Sequence, residues 1–250
     1  MTYRARLAVV GLVVIAGGMF LCTGFAQEEK AQSGGRSWVA GVDAAIYSDY
    51  IWRGVNKYDT SVSPAVYVRF PSFCVKALGI FETGEDGGTG EIDASLEYFF
   101  SLGQLDLSAG YIFYGYDESS FSDTSEIFGK ASWRTGTPLV PSLELYWDID
   151  EADALYARIG VAYQDQIENV PFKLATSLGA ATDGFSKTYY WISEAALVDF
   201  EASFSMSIPL SKEISFEPFV GISVLLDSSI KTWVEEDTNE YIGAALHLVF

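Results

Sequence analysis

The sequence predicts an all-β chain that closes into an antiparallel transmembrane β-barrel of about twelve strands, with short periplasmic turns and longer extracellular loops. Three observations predict it. From Trp38 onward, apolar residues occupy every second position in segments of about ten, parted by clusters of Gly, Pro, Asp, Asn and Ser. The links between segments alternate between long acidic stretches and tight ones. The chain ends on an alternating strand whose last residue is Phe250.

Residues 1–26 carry the pattern of an export signal. Arg4 and Arg6 give a basic start, Leu7 to Leu21 an apolar run, and Gly24, Phe25 and Ala26 a small-x-small cleavage site, so cleavage is expected after Ala26. The apolar run is about 15 residues, short of the roughly 20 that a spanning helix needs. Lipidation at Cys22 is not expected, because Met19, Phe20 and Leu21 before it are bulky. Residues 27–36 then form a short periplasmic segment and residues 37–250 the barrel. Cleavage leaves Cys74 as the mature chain's cysteine, and two isolated Cys with a lone His make no metal-ligand cluster. Neither a metal nor a cofactor is expected.

The alternating segments place strands near residues 37–52, 62–70, 74–81, 91–101, 104–116, 124–133, 141–149, 154–164, 171–181, 196–208, 214–226 and 240–250. The clearest runs from Ala196 to Ile208, where Val198, Phe200, Ala202, Phe204 and Met206 alternate with Asp199, Glu201, Ser203 and Ser205. One face is apolar and the other polar. Links after odd strands, such as Arg53 to Ser61 and Asp227 to Asn239, are long and acidic, whereas Pro71 to Phe73 and Leu102 to Gly103 are tight. In hydrocarbon an unpaired backbone N–H or C=O costs several kcal/mol, so an open edge is not viable and the last strand must pair with the first. Phe250, Leu248, Leu246, Ala244 and Ile242 recur at every second site of that last strand. The pattern resembles the signal by which the barrel-assembly machinery recognises its clients. Phe250, Leu248 and Leu246 are the expected assembly signal.

Aromatic residues make up 15% of the chain, enough to furnish girdles at both water interfaces. Tyr50, Trp52, Phe70, Tyr98, Phe100, Tyr111, Phe113, Trp133, Trp147, Tyr163 and Phe250 are expected there, facing lipid. A net charge of −19 alongside a mean hydropathy of +0.17 implies that acidic and apolar residues are segregated. It also excludes nucleic acid as a partner, because phosphate binding needs clustered Lys and Arg. Expected partners are outer-membrane lipid and lipopolysaccharide, in the outer membrane of a Gram-negative cell. The oligomeric state is left open.

Residues of the other phase point into the lumen. The first strand and its loop contribute Asp43, Asp49 and Arg53, the next strands Arg69, Asp93, Glu97 and Asp106. Glu126, Lys130, Glu144 and Arg158 come from the middle of the chain, and Lys173, Glu201 and Glu217 from its last third. Twelve strands lie between the eight that side chains fill and the sixteen that leave a wide channel. The expected function is a porin-like channel for passive diffusion of small solutes or ions. It should prefer cations, because an acidic lining between low-dielectric walls focuses the field. The alternative is a filled, non-conducting barrel with a structural or binding role.

A third possibility, a membrane lipid hydrolase with a Ser and His pair, needs its imidazole near the lipid. The one His, His247, has lumen parity, so no catalytic residue is expected. The acidic loops around Glu82, Glu85 and Asp86 and around Glu235, Glu236 and Asp237 lack the alternating ligand spacing of a calcium loop. Solvated surface charge accounts for them.

Ser48, Asp49, Tyr50, Ile51, Trp52, Arg53 and Gly54, followed by Pro64 and Ala65, form an S-D-Y-x-x-R-G motif with a downstream P-A. It resembles the N-terminal motif of the TorF-like porins, a family of exported bacterial barrels. The resemblance covers about twenty residues and implies a porin-like role without a particular substrate. Asp49 and Arg53, four residues apart, are expected to share a phase at the end of the first strand and to anchor the first loop by ion pairing with neighbouring strands.

Overall fold

The computed structural model describes residues 37–84, 90–117 and 122–250. The export signal, Cys22, the segment 27–36 and the acidic positions Glu85 and Asp86 lie outside them. Among the described residues, strands dominate, and no helix is long and apolar enough to cross a membrane.

The chain begins with β1 (Val39–Tyr47), whose burial alternates residue by residue. A small hairpin follows, β2 (Tyr50–Trp52) and β3 (Val55–Tyr58). The wall continues with β4 (Ser61–Arg69), β5 (Phe73–Glu82), β6 (Gly90–Leu102), β7 (Leu105–Asp117), β8 (Thr124–Trp133), β9 (Leu139–Asp148), β10 (Ala154–Ile167) and β11 (Val170–Ala181). Helix α1 (Asp183–Tyr190) occupies the next link. Then come β12 (Ala196–Met206), the two-residue β13 (Ile208–Pro209), β14 (Ile214–Leu225), the short helix α2 (Ser228–Lys231) and β15 (Thr238–Val249).

The sheet closes. Each wall strand pairs antiparallel with its neighbours in sequence, β12 pairs directly with β14, and β15 returns to β1 with His247 opposite Asp43. Setting aside β2, β3 and β13, twelve strands form the ring, and no edge is left for hydrocarbon to meet. Their antiparallel order puts the two ends of the described chain at one rim, with β2, β3, α1 and α2 all at the opposite rim.

The alternation has the predicted direction except at the start of β12, where Leu197 faces outward and Val198 is buried because the register shifts beside them. Outward positions carry exposed apolar side chains on every wall strand, among them Ile92, Ile159 and Ile242, the last of these 65% exposed. A continuous apolar exterior of this kind is unstable in water and fits a bilayer. Tyr98, Phe100, Tyr111, Phe113, Trp133, Trp147, Tyr163 and Phe250 all lie on it. Leu246 and Leu248 share that face, and the Phe250 N–H donates to the Ala40 carbonyl at 2.9 Å, so the terminal residue is stitched to the first strand.

The first strand departs from expectation. It ends at Tyr47 instead of running to residue 52, and Tyr50, Ile51 and Trp52 are all buried. Tyr50 and Trp52 therefore do not belong to a lipid girdle. Three consecutive buried residues cannot sit on a wall strand that has one lipid face, and the segment folds inward as the β2–β3 hairpin. The helices α1 and α2 were likewise not anticipated in links expected to be acidic loops. In α1, Phe185, Tyr189 and Tyr190 gather on one buried face. Asp183 in its first turn and Lys187 in its last suit the helix dipole, and Trp191 ends it in a left-handed conformation.

Candidate functional site

The lumen is the candidate site, and it is organised in two zones. At the rim bearing the long links, the β2–β3 hairpin and α1 fill the bore with aromatic and apolar side chains. Phe185 packs against Trp52, Tyr156, Tyr189 and Tyr190, with the Phe185 and Tyr189 ring centres 4.5 Å apart. Below this plug the inner wall carries charges.

Arg53 is the centre of the plug. It sits in the tight turn of the hairpin, and it and Gly54 both have positive φ, 48° and 90°. Its guanidinium grips Glu126 of β8 in a two-pronged pair, Nη1 donating to Oε1 at 2.6 Å and Nη2 to Oε2 at 2.8 Å. Tyr114 donates to the same carboxylate at 2.8 Å. Four rings surround the cation, with Tyr156 at 4.4 Å, Trp52 at 4.6 Å, Tyr146 at 4.7 Å and Phe185 at 5.0 Å from the guanidinium carbon. A weakly hydrated planar cation suits such a cage. Burial opposes the charge on Arg53, but the Glu126 carboxylate outweighs it, so the pKa lies above the usual arginine value.

The hairpin backbone is tied down as well. Tyr190 of α1 donates to the Arg53 carbonyl at 3.0 Å, and Asn239 of β15 donates to the Gly54 carbonyl at 3.1 Å. A Cβ on Gly54 would stand 2.7 Å from Leu225 and 2.8 Å from Asp199, which explains a glycine there beyond its backbone angle. Lys57 adds a second clamp, with its Nζ 2.7 Å from Glu91 of β6 and donating to the Tyr116 hydroxyl at 2.9 Å. Burial drags its pKa below the usual lysine value, and Glu91 only partly restores it. Tyr189 donates to Asp148 of β9, pinning α1 to the wall.

Under the plug, pairs of opposite sign bridge wall strands. Asp43 accepts at 2.9 Å from His247 Nδ1 and lies 3.6 Å from Lys76, while His247 Nε2 is 3.5 Å from Glu217. Lys130 faces Glu97 at 3.7 Å, and Ser108 donates to that carboxylate at 2.7 Å. Arg158 lies 3.8 Å from Asp199 and 3.7 Å from Glu201, which also accepts from Tyr241 at 2.6 Å. A register shift between Gly179 and Ala180 of β11 lies beside Val198 and Asp199 of β12, both of which are buried. Asp93 is buried on the same inner face of β6 as Glu91 and Glu97. Nearer the other rim Arg69 stacks over Phe99 at 4.4 Å.

The predicted lining is therefore inward at Asp43, Arg69, Asp93, Glu97, Glu126, Lys130, Glu144, Arg158, Lys173, Glu201 and Glu217. Two positions differ. Asp49 lies beyond the end of β1, half-buried and accepting from Asn56 at 3.3 Å, because the chain has left the wall by then. Asp106 keeps the inward parity but sits at the rim in a half-exposed pair with Arg134 at 2.9 Å. Arg53 also differs in its partner: it reaches Glu126, five strands round the ring from β1, and not the neighbouring strands. Sequence reasoning missed Glu91 and Asp148, both on inner parity and so recoverable, and Lys57, which the hairpin alone places. His247 lies in the lumen between two carboxylates, and Asp237 in the last loop pairs with Lys231 at 3.1 Å.

No family model matches the sequence, and no curated protein matches it. Among solved structures, the chain is similar to the KdgM porin in complex with disordered oligogalacturonate, at a TM-score of 0.54 and 8% identity, over 85% of this chain and 99% of that one. It is also similar to the NanC porin, at a TM-score of 0.52 and 11% identity, over 84% and 98%. At such identities the likeness lies in the fold: a small barrel covered nearly end to end.

Proposed function

We propose that the protein is an outer-membrane porin-like channel for small solutes or ions, cation-preferring, whose outer mouth is held shut by its own first loop. The observation that carries the proposal is the charged inner wall below the plug. A barrel of solely structural role has no need to bury Asp43, Glu97, Arg158, Lys173 and Glu217 around its axis, whereas a conducting one requires a polar lining. Acids outnumber bases on that wall, which favours cations. The S-D-Y-x-x-R-G resemblance and the fold shared with KdgM and NanC support the same role. The apolar exterior and terminal Phe250 support insertion by the assembly machinery into an outer membrane, against lipid and lipopolysaccharide.

One observation favours the second reading, a closed barrel with a structural or binding role: the aromatic plug leaves Arg53 only 5% exposed and Glu126 1%. A lipid hydrolase gains no such support, since His247 is held by Asp43 inside the lumen. Planar-bilayer recording separates the readings. Folded wild type should give rare single-channel steps, Arg53→Ala more frequent ones, and the reversal potential in a salt gradient should fall on the cation side. Silence from both proteins would remove the channel and leave the closed barrel.

A further inference from the structure

The β2–β3 hairpin is a lid fastened at both ends. Before it, the Ser48 N–H donates to the Ile242 carbonyl of β15 at 2.8 Å, and after it the Thr60 carbonyl accepts from the Thr83 N–H at 2.8 Å. Between those points its two strands pair with each other in a sheet of their own and not with the wall. Asp59 and Thr60 are exposed, and Val55 and Asn56 are half-buried, so the outer edge of the hairpin meets water. Such a segment can lift as a unit without unzipping a wall strand.

Under the lid the wall carries a ready-built cation site. Glu126 supplies two carboxylate oxygens, Tyr114 holds that carboxylate at 2.8 Å, and the rings of Tyr146, Tyr156 and Phe185 lie within 5.0 Å of the guanidinium carbon. These groups come from β7, β8, β9, β10 and α1, and none from the lid. A second niche takes Lys57, whose Nζ is 2.7 Å from Glu91 and 4.2 Å from the centre of the Tyr116 ring. The two cations share the Trp52 ring, at 4.6 and 5.2 Å from its centre, so the two niches are neighbours.

A lid needed for closure alone has no use for either charge, because a buried ion pair often adds no more stability than apolar side chains of the same volume. A carboxylate set among aromatic rings is instead the chemistry by which a protein recognises an organic cation.

We propose that the Glu126 and Glu91 niches form the binding site of the mouth for a small organic dication with a guanidinium at one end and an amine at the other, and that Arg53 and Lys57 occupy it as a tethered copy which the free solute displaces. The proposal rests on the channel reading for the passage of that solute and names its class. Binding itself can be tested without any current.

Agmatine, a guanidinium and an amine joined by four carbons, is the probe. Wild type and Arg53→Ala are refolded in detergent micelles and titrated with it by calorimetry at constant ionic strength. Arg53→Ala should bind agmatine at least about tenfold more tightly than wild type, because the tethered competitor is gone and the competent state is no longer rare. Putrescine, with an amine in place of the guanidinium, should bind that variant at least about tenfold more weakly than agmatine. Adding Glu126→Gln to Arg53→Ala should abolish agmatine binding. In wild type, saturating agmatine should lift the lid and let chymotrypsin cut after Trp52 or Tyr58, bonds that putrescine at the same concentration leaves protected.

Equal affinity of wild type and Arg53→Ala for agmatine overturns the proposal. So does an Arg53→Ala protein that fails to prefer agmatine to putrescine, or a double variant that binds agmatine as tightly as the single one. A wild-type lid that stays protected at every agmatine concentration overturns it too, since Arg53 would then be a fastening and not a displaceable copy. If Arg53→Ala does not fold, the chymotrypsin result in wild type decides alone. Agmatine that binds and exposes the lid of a protein silent in bilayers would remove the channel and keep the site. Conducting protein that ignores agmatine would remove the site and keep the channel.

Discussion

Arg53 crosses the bore to Glu126. The arginine belongs to the link after β1 and the glutamate to β8, five strands round the ring, and their two short contacts of 2.6 and 2.8 Å hold the first loop inside the mouth.

Replacing Arg53 with Ala should both loosen and open the barrel. It empties the ring cage and strands Glu126 as a buried, unpaired carboxylate, a change that costs about 3–5 kcal/mol when one partner of a buried pair is removed. Urea unfolding of the refolded protein should show a loss of that order. Glu126→Gln on top of Arg53→Ala should recover part of it, because the orphaned charge is gone.

Gly54→Ala tests the same hinge through the backbone. The position has φ of 90°, and the added methyl would press on Leu225 and Asp199. The hairpin should lift, exposing the peptide bonds after Arg53 and Lys57. Limited trypsin digestion of folded protein should cut the variant there and spare the wild type; identical digestion patterns would show that the hairpin tolerates the side chain.

Ile159→Lys probes the exterior. This residue is 57% exposed on the outer face of β10 near mid-strand. A lysine on the lipid face near the bilayer midplane costs about 2–4 kcal/mol, whereas on a water-facing surface it costs almost nothing. Unfolding from lipid vesicles should show the penalty. Stability unchanged from wild type would mean that the face meets water.

Deleting Phe250 should separate insertion from stability. The side chain is 62% exposed and contributes little packing, although its N–H bonds Ala40. The amount of heat-modifiable protein in cell membranes should fall several-fold, while material refolded in vitro should melt within a few degrees of wild type. Undiminished membrane levels would deny the residue a role in assembly.

Much of the wall was legible because the side-chain period of a strand is two, and a charge on the lipid face is costly. The parity that put Ile242 and Leu246 outside also put Asp43, Glu97 and Glu217 inside. The plug was not legible from that rule. Tyr50, Ile51 and Trp52 look like a strand end when read two by two, and only their consecutive burial shows that the chain has turned inward. Their apolar character, in a link that should have met water, was the one available signal. The helix α1 hid for a similar reason: eight residues with aromatic groups at positions 185, 189 and 190 make a short periodic run that is easily taken for an irregular loop. Pairings across the bore, such as Arg53 with Glu126, depend on the shape of the closed ring and have no local signature.

The hairpin also imposes a chronology on folding. Residues 50–58 are among the first of the barrel to be made, yet the groups that clamp Arg53, Gly54 and Lys57 to the wall belong to later stretches: Glu91 on β6, Glu126 on β8, Tyr156 on β10, Tyr190 in α1 and Asn239 at the start of the last strand. The earliest loop must wait for the ring to be completed before it can settle, so the hatch can latch only after the vessel around it is whole.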